Sequence, residues 1–186
     1  MQFHIRAAQP GDAAQIAGIH LQSWKTTYPG IIPQAYIASL KVEDGVQRWQ
    51  QRLQEGTDKI FVAQQGSDPS SIFGFISGGA IREPIDEYDG ELHAIYLLKH
   101  HQNQGAGRAL VRALAAILHA EGLKSMIVWA LEENSAVEFY KHLGAVPVTR
   151  KTINIGGKDL PDIALGWPSL ENLLASKGIY RYPPEK

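Results

Sequence analysis

The spacing of apolar and polar positions predicts an ordered series of helices and strands. Residues 3–8 read as a short strand, ended by Pro10-Gly11-Asp12. Asp12 stands where it would cap a helix in which Ile16, Ile19, His20 and Trp24 recur at helical spacing. Tyr28-Pro29-Gly30 breaks that helix, and two more helical stretches are expected over 33–40 and 43–54. Residues 60–64 alternate like a strand and 72–79 form the next, so the pair reads as a hairpin with a long turn-rich link. Residues 83–90 are acidic and contain Pro84, which predicts an exposed loop. A strongly apolar strand follows over 91–98, then a polar turn over 99–107. The clearest helix is 108–121, with Leu110, Val111, Leu114, Ile117 and Leu118 as its stripe and Gly122 closing it. Residues 126–130 read as a buried strand, and 134–143 as a helix closed by Gly144. Residues 146–155 and 162–167 flank Gly156-Gly157 as a closing hairpin. The tail beyond Pro168 starts helically and ends in Tyr-Arg-Tyr-Pro-Pro, a segment expected to be loosely held.

This order makes an α/β (α+β) fold with one parallel strand–turn–helix–strand crossover near its middle. The 186 residues suit one domain over 1–168, with 169–186 as a C-terminal tail. Scattered lysines and arginines and a net charge of −1 give no footprint for nucleic acid. The absence of cysteine excludes disulfides, thiolate metal sites and a cysteine nucleophile. No stretch has the length of a signal peptide's apolar core or a membrane span, so a soluble, cytoplasmic protein without membrane contact is expected.

The turn at 99–107 changes the picture. An apolar strand ends, Gly105 and Gly107 remove Cβ obstruction, and a long helix begins at once. The first amides of that helix lack partners within it, and with the macrodipole they make a site for a phosphate or pyrophosphate, to which Arg108 adds charge. A Walker loop is excluded because Arg108-Ala109 follow Gly107 where Lys-Ser/Thr is required. A dinucleotide fingerprint lacks its third glycine, since position 110 is Leu. What remains is Gln102-Asn103-Gln104-Gly105-Ala106-Gly107. In this the chain resembles the GCN5-related N-acetyltransferase superfamily, whose Arg/Gln-x-x-Gly-x-Gly/Ala loop holds the pyrophosphate of acetyl-CoA. The strand Ala94-Ile95-Tyr96-Leu97 is similar to the family's strand before that loop, and 134–145 is similar to its Asn-x-x-Ala-x-x-Phe-Tyr helix. Lys99 stands where many members have Pro, and Ala145 where they have Phe.

The resemblance covers roughly residues 3–167 and implies a mixed, mostly antiparallel central sheet flanked by helices. It implies acetyl-CoA as co-substrate, no metal, and a dimer as a family-level expectation. It further implies that Ile95, Tyr96, Leu97, Gln102, Asn103, Gln104, Gly105, Ala106, Gly107, Arg108 and Asn134 bind the donor. The Leu97 amide, freed by a strand bulge, would polarise the thioester carbonyl. Tyr140 is the candidate acid for the departing thiolate, since a tyrosine stays protonated at neutral pH; it also fits a core-packing role. Asn134 suits both a helix cap and a ligand contact. Glu91 is the first candidate base and His93 the second, two residues apart on one strand face; both also fit a solvated strand end. Trp24, Thr27 and Tyr28 fall where the family shapes its acceptor pocket; Trp24 reads first as part of an aromatic core stripe, and Tyr28, before the Pro-Gly break, as lining a cleft. His100-His101 diverge as neighbours and make a poor metal pair.

The leading expectation is therefore transfer of an acetyl group to a primary amine, with a small molecule preferred over a protein N-terminus or lysine. A non-catalytic acyl-CoA-binding module of the same fold is the alternative from another class. A nucleotide-binding α/β domain is disfavoured by the missing glycine and Lys-Ser/Thr.

Overall fold

A computed structural model describes residues 2–176. The expectation for the end of the tail lies outside the described residues. The strands are β1 (Phe3–Ala7), β2 (Lys59–Gln65), β3 (Ile72–Ile85), β4 (Tyr88–Leu97), β5 (Met126–Leu131), β6 (Val146–Ile155) and β7 (Lys158–Trp167). The helices are α1 (Ala13–Thr27), α2 (Gln34–Ser39), α3 (Val42–Glu55), α4 (Ala106–Ala120), α5 (Ala136–His142) and α6 (Leu170–Ala175). One seven-stranded sheet runs in the order β1-β2-β3-β4-β5-β7-β6. Every pair is antiparallel except β4 with β5, which the α4 crossover joins in parallel.

Helices cover both faces of the sheet because its strands alternate large apolar side chains to each side. On one face α4 sinks Leu110, Leu114 and Leu118 completely against Met126, Val128 and Trp167. Each such leucine contributes about 1.5–3 kcal/mol of burial. On the other face α1 and α3 pack Ile16, Ala17, Ile19 and Trp49 on Val62 and Phe75. A third, smaller cluster gathers Tyr28, Ile32, Ile37, Leu131 and Leu160 at one end of the molecule. Helix α6 adds Leu170 and Leu173 to the first core, and the Arg112 guanidinium on α4 donates to the carbonyls of Leu173, Leu174 and Ser176 at its end.

Three expectations are corrected. Residues 83–90 are not an open loop: β3 runs on to Ile85 and β4 starts at Tyr88, so the segment is the tip of a long hairpin. Pro84 is tolerated there because regular β3–β4 pairing lapses between Ala80 and Ile85. Asp12 does not cap α1, because a 3-10 turn over Pro10–Asp12 has already drawn it into helical backbone. Its carboxylate instead accepts from the Gln9 amide at 2.7 Å and pairs with Arg6 at 2.7 Å. The last strand begins at Lys158, four residues before the expected start, because the turn at Gly156-Gly157 is tight.

Candidate active site

The site begins where the sheet splits. The β4–β5 ladder holds only Gly90↔Met126, Glu91↔Ile127 and Leu92↔Val128, yet β4 continues to Leu97 and β5 to Leu131. Beyond Leu92 the two strands part and leave a gap. The Leu98 amide donates to the Phe73 carbonyl on β3 at 2.9 Å. Successive amides of a strand point to opposite edges, so those of Ile95 and Leu97 face the gap. The bulge expected in this strand is present, at His93–Ala94. It reverses which face the side chains take: Leu92 packs toward α4, whereas Ala94 and Tyr96 turn toward α1. The parting of β4 from β5 beyond this bulge leaves the Leu97 amide without a partner strand on that edge.

The glycine loop closes one end of that gap. Gly105 has φ +88° with open space where a Cβ would stand, and no side chain caps α4. The first bond of the helix runs from the Ala109 amide to the Gly105 carbonyl, so the amides of Gly105, Ala106, Gly107 and Arg108 have no intrahelical acceptor. Gly107 serves a different purpose. A Cβ there would meet the Phe139 ring at 3.1 Å, so this glycine lets α4 approach α5. Gln102 is exposed, and its Nε2 donates to the Leu97 carbonyl at 3.2 Å. Asn103 takes a positive φ of 58°, and the Gln104 amide group reaches back to the His100 carbonyl; these two shape the turn. His101 stacks on Phe73 at 4.2 Å. Arg108 is exposed and borders a hollow of about 250 Å³ between α4, α5 and α6.

Across the gap runs a chain of polar atoms. Trp24 Nε1 donates to the Tyr96 hydroxyl at 3.0 Å, which lies 3.5 Å from the Tyr28 hydroxyl, to which Asn134 Nδ2 donates at 3.3 Å. Asn134 Oδ1 accepts from the Ala136 amide at 2.9 Å, so this residue both caps α5 and joins the chain. Tyr96 was expected at the donor, but the bulge turns its side chain to the α1 face, where His20 stacks on it at 4.7 Å. Burial, then Arg48 and Arg52, push His20 down to about 4, so it is neutral. Tyr140 is 5% exposed. Burial first, and then the neighbouring Tyr28, push its hydroxyl far above the ordinary tyrosine value. Tyr28 and Tyr96 are raised as well, burial again being the main cause.

Glu91 and His93 do share a face, but neither is a solvated strand end. The Glu91 carboxylate is 3% exposed, pairs with Arg82 and accepts from the Arg82 amide at 3.1 Å. Burial pushes this carboxyl up, and the bonds to Arg82 outweigh it, so the group sits below its ordinary range. His93 lies with Nδ1 3.4 Å from Asp58, and its buried Nε2 has no hydrogen-bond partner among the described residues.

Beside the polar chain lies a pocket of about 160 Å³ walled by Trp24, Tyr28, Ile32, Trp129 and Ile153. Thr27 is not among its lining residues. One lining residue was missed by the sequence reading: Asp162, a carboxylate on β7 that is 5% exposed. The available signal is a charge at the head of the apolar run Ile163-Ala164-Leu165, within the strand expected over 162–167.

A family model described as the acetyltransferase (GNAT) family matches residues 22–145. The uncharacterised N-acetyltransferase YuaI of Bacillus subtilis is 42% identical over 169 residues, 91% of this chain and 95% of that protein. Among solved structures, a GCN5-related N-acetyltransferase from Rhodopseudomonas palustris superposes with a TM-score of 0.68 at 22% identity, covering 89% of this chain and 95% of that one. PaiA N-acetyltransferase from Thermoplasma acidophilum, solved with coenzyme A, gives 0.62 at 21% identity over 88% and 98%. At such identities the two structures speak for the fold.

Proposed function

The chain belongs to the acetyltransferase (GNAT) family, and from that premise we propose that it moves an acetyl group from acetyl-CoA to the primary amine of a small molecule. One observation carries the reading: uncapped helix amides at Gly105–Arg108 stand at the end of a gap into which the Ile95 and Leu97 amides point. The first set suits a pyrophosphate. The second suits the oxygen of a thioester carbonyl, which gains negative charge as it is attacked.

The reaction balances as ammonium plus thioester giving amide, thiol and one proton. The amine nitrogen attacks the carbonyl carbon, the C–N bond forms, and the C–S bond breaks. Nitrogen sheds two protons in all. One goes to solvent, and the other is matched by the proton that the leaving sulfur takes from Tyr140. The raised hydroxyl of Tyr140 keeps its proton at every physiological pH, as a general acid must, although burial also makes that proton harder to release. Of the two candidate bases, Glu91 is held ionised by Arg82 and is the poorer proton acceptor. His93, whose buried Nε2 has no hydrogen-bond partner among the described residues, is the better one.

Calorimetric titration with acetyl-CoA and with ATP tests the donor. Micromolar binding of acetyl-CoA alone is expected, lost in Gly105→Val, whose side chain would fill the open space above the loop at a backbone angle valine resists. Binding without transfer to any amine would leave a binding module. Preference for ATP would overturn the reading.

A further inference from the structure

The pocket beside the gap carries a charge that the fold does not use. Asp162 sits between Leu131 on β5 and Lys151 on β6 in the sheet register. Strand alternation turns it to the same side as Leu160, into the cluster of Tyr28, Ile32 and Leu131. The residue is 5% exposed, its carboxylate borders the pocket, and no side-chain hydrogen bond or ion pair within 4 Å joins it to another described residue. Burial makes the charged form of such a carboxylate costly unless a cation comes to it. Its nearest cation is engaged elsewhere: the Lys151 ammonium lies 2.9 Å from Glu83 and 4.1 Å from the centre of the Trp129 ring. All other lining side chains are apolar or aromatic, with Tyr28 and Trp24 as the polar exceptions.

Three features of this pocket point to one ligand chemistry. A lone desolvated carboxylate attracts a single positive charge. Indole and phenol faces stabilise an alkylammonium further. A volume of about 160 Å³ is close to that of a cavity which holds one benzene-sized body. We infer that Asp162 is the anchor of the acceptor's ammonium group, and that the acceptor is a monoamine with a compact apolar body, of the arylalkylamine kind. This deepens the proposed acetyl transfer and rests on it. The pocket and the gap share Trp24 and Tyr28, whose rings wall the pocket while their polar atoms belong to the chain across the gap. The anchored nitrogen would lie beside the polar chain that spans the gap, and it passes one proton to Asp162 or to water before its lone pair attacks. A polyamine would bring a second cation, for which this pocket has no second carboxylate.

The protonation of Asp162 agrees with the role. Burial lifts it to about 6, opposed by Lys151 from β6, and the Tyr28 hydroxyl at the end of α1 is the other titratable group that senses its charge. At neutral pH it is ionised and ready for a cation.

The test uses the full chain in complex with coenzyme A. Calorimetry would measure binding of 2-phenylethylamine and of its uncharged analogue 2-phenylethanol to wild type and Asp162→Asn, and steady-state kinetics would follow acetylation. Wild type is expected to bind the amine at least tenfold more tightly than the alcohol. Asp162→Asn should erase that preference and raise the amine's KM tenfold or more, with acetyl-CoA affinity unchanged. Asp162→Glu should restore part of the preference. Equal binding of amine and alcohol by wild type, or an unchanged KM in Asp162→Asn, overturns the inference while acetyl transfer stands. So does faster acetylation of spermidine or of a lysine peptide than of 2-phenylethylamine. Loss of acetyl-CoA binding by wild type itself would instead overturn the donor assignment.

Discussion

Tyr140 and Asp162 are opposite cases of burial acting on an ionisable side chain. Burial holds the Tyr140 proton on, which is the state a general acid requires. Tyr140→Phe is expected to lower kcat by about 10²–10⁴-fold with the dissociation constant of acetyl-CoA unchanged, read by single-turnover kinetics and calorimetry. For Asp162 burial works against the charged form that an anchor needs. The folded value of about 6 lies above the ordinary carboxylate value near ~3.9. The folded chain therefore holds that proton more tightly than the unfolded chain. Its contribution to stability is present below pH ~4 and is lost as pH rises through ~6. Asp162→Asn, which removes the charge, should melt at nearly the wild-type temperature at pH 4 and roughly 5 °C higher at pH 7.5. Melting curves at the two pH values check this. A melting temperature that falls in the variant at pH 7.5 would mean that the carboxylate is satisfied within the fold.

At the scale of elements, β4 and α4 carry most of the site, and their legibility differed. Helix α4 was plain because its leucine stripe and closing glycine both speak to one period. The loop before it was plain because glycine pattern and strand–helix context agree. The bulge at His93–Ala94 was not, since nothing in Glu-Leu-His-Ala-Ile separates a bulged strand from a regular one. That one inserted residue is what sends Tyr96 to the α1 side of the sheet. Asp162 was hidden for a related reason: a pocket is assembled from distant strands, and nothing in the strand expected over 162–167 shows what faces its first residue. The acidic hairpin tip at 83–90 read as a loop because charge and Pro84 are loop signals wherever pairing is not yet known. The two loop glycines, alike in sequence, separate in structure. Gly107→Ala should cost about 1–3 kcal/mol in stability through contact with Phe139. Gly105→Ala should cost about 1 kcal/mol from its left-handed backbone and weaken acetyl-CoA binding more than stability. Urea unfolding and calorimetry on both variants separate the roles.

For the molecule as a whole, the first core extends past the sheet. Leu170 and Leu173 of α6 are buried, and Arg112 ties off the end of that helix. A chain stopped after Pro168 is expected to lose about 3–6 kcal/mol, measured by urea unfolding. The sheet also has a seam. On one side stand β1 to β4, on the other β5 to β7, and three residue pairs join them before the strands part. It resembles a book whose binding is sewn only at one end. A ligand lying in the opening would act as additional stitching, so the two leaves should be more loosely coupled in the empty protein than in the loaded one. Amide exchange at Ile95 and Leu97 would slow when the book is bound shut. The machinery that chooses the acceptor, carried by both leaves, would then become fully rigid only after the donor has arrived.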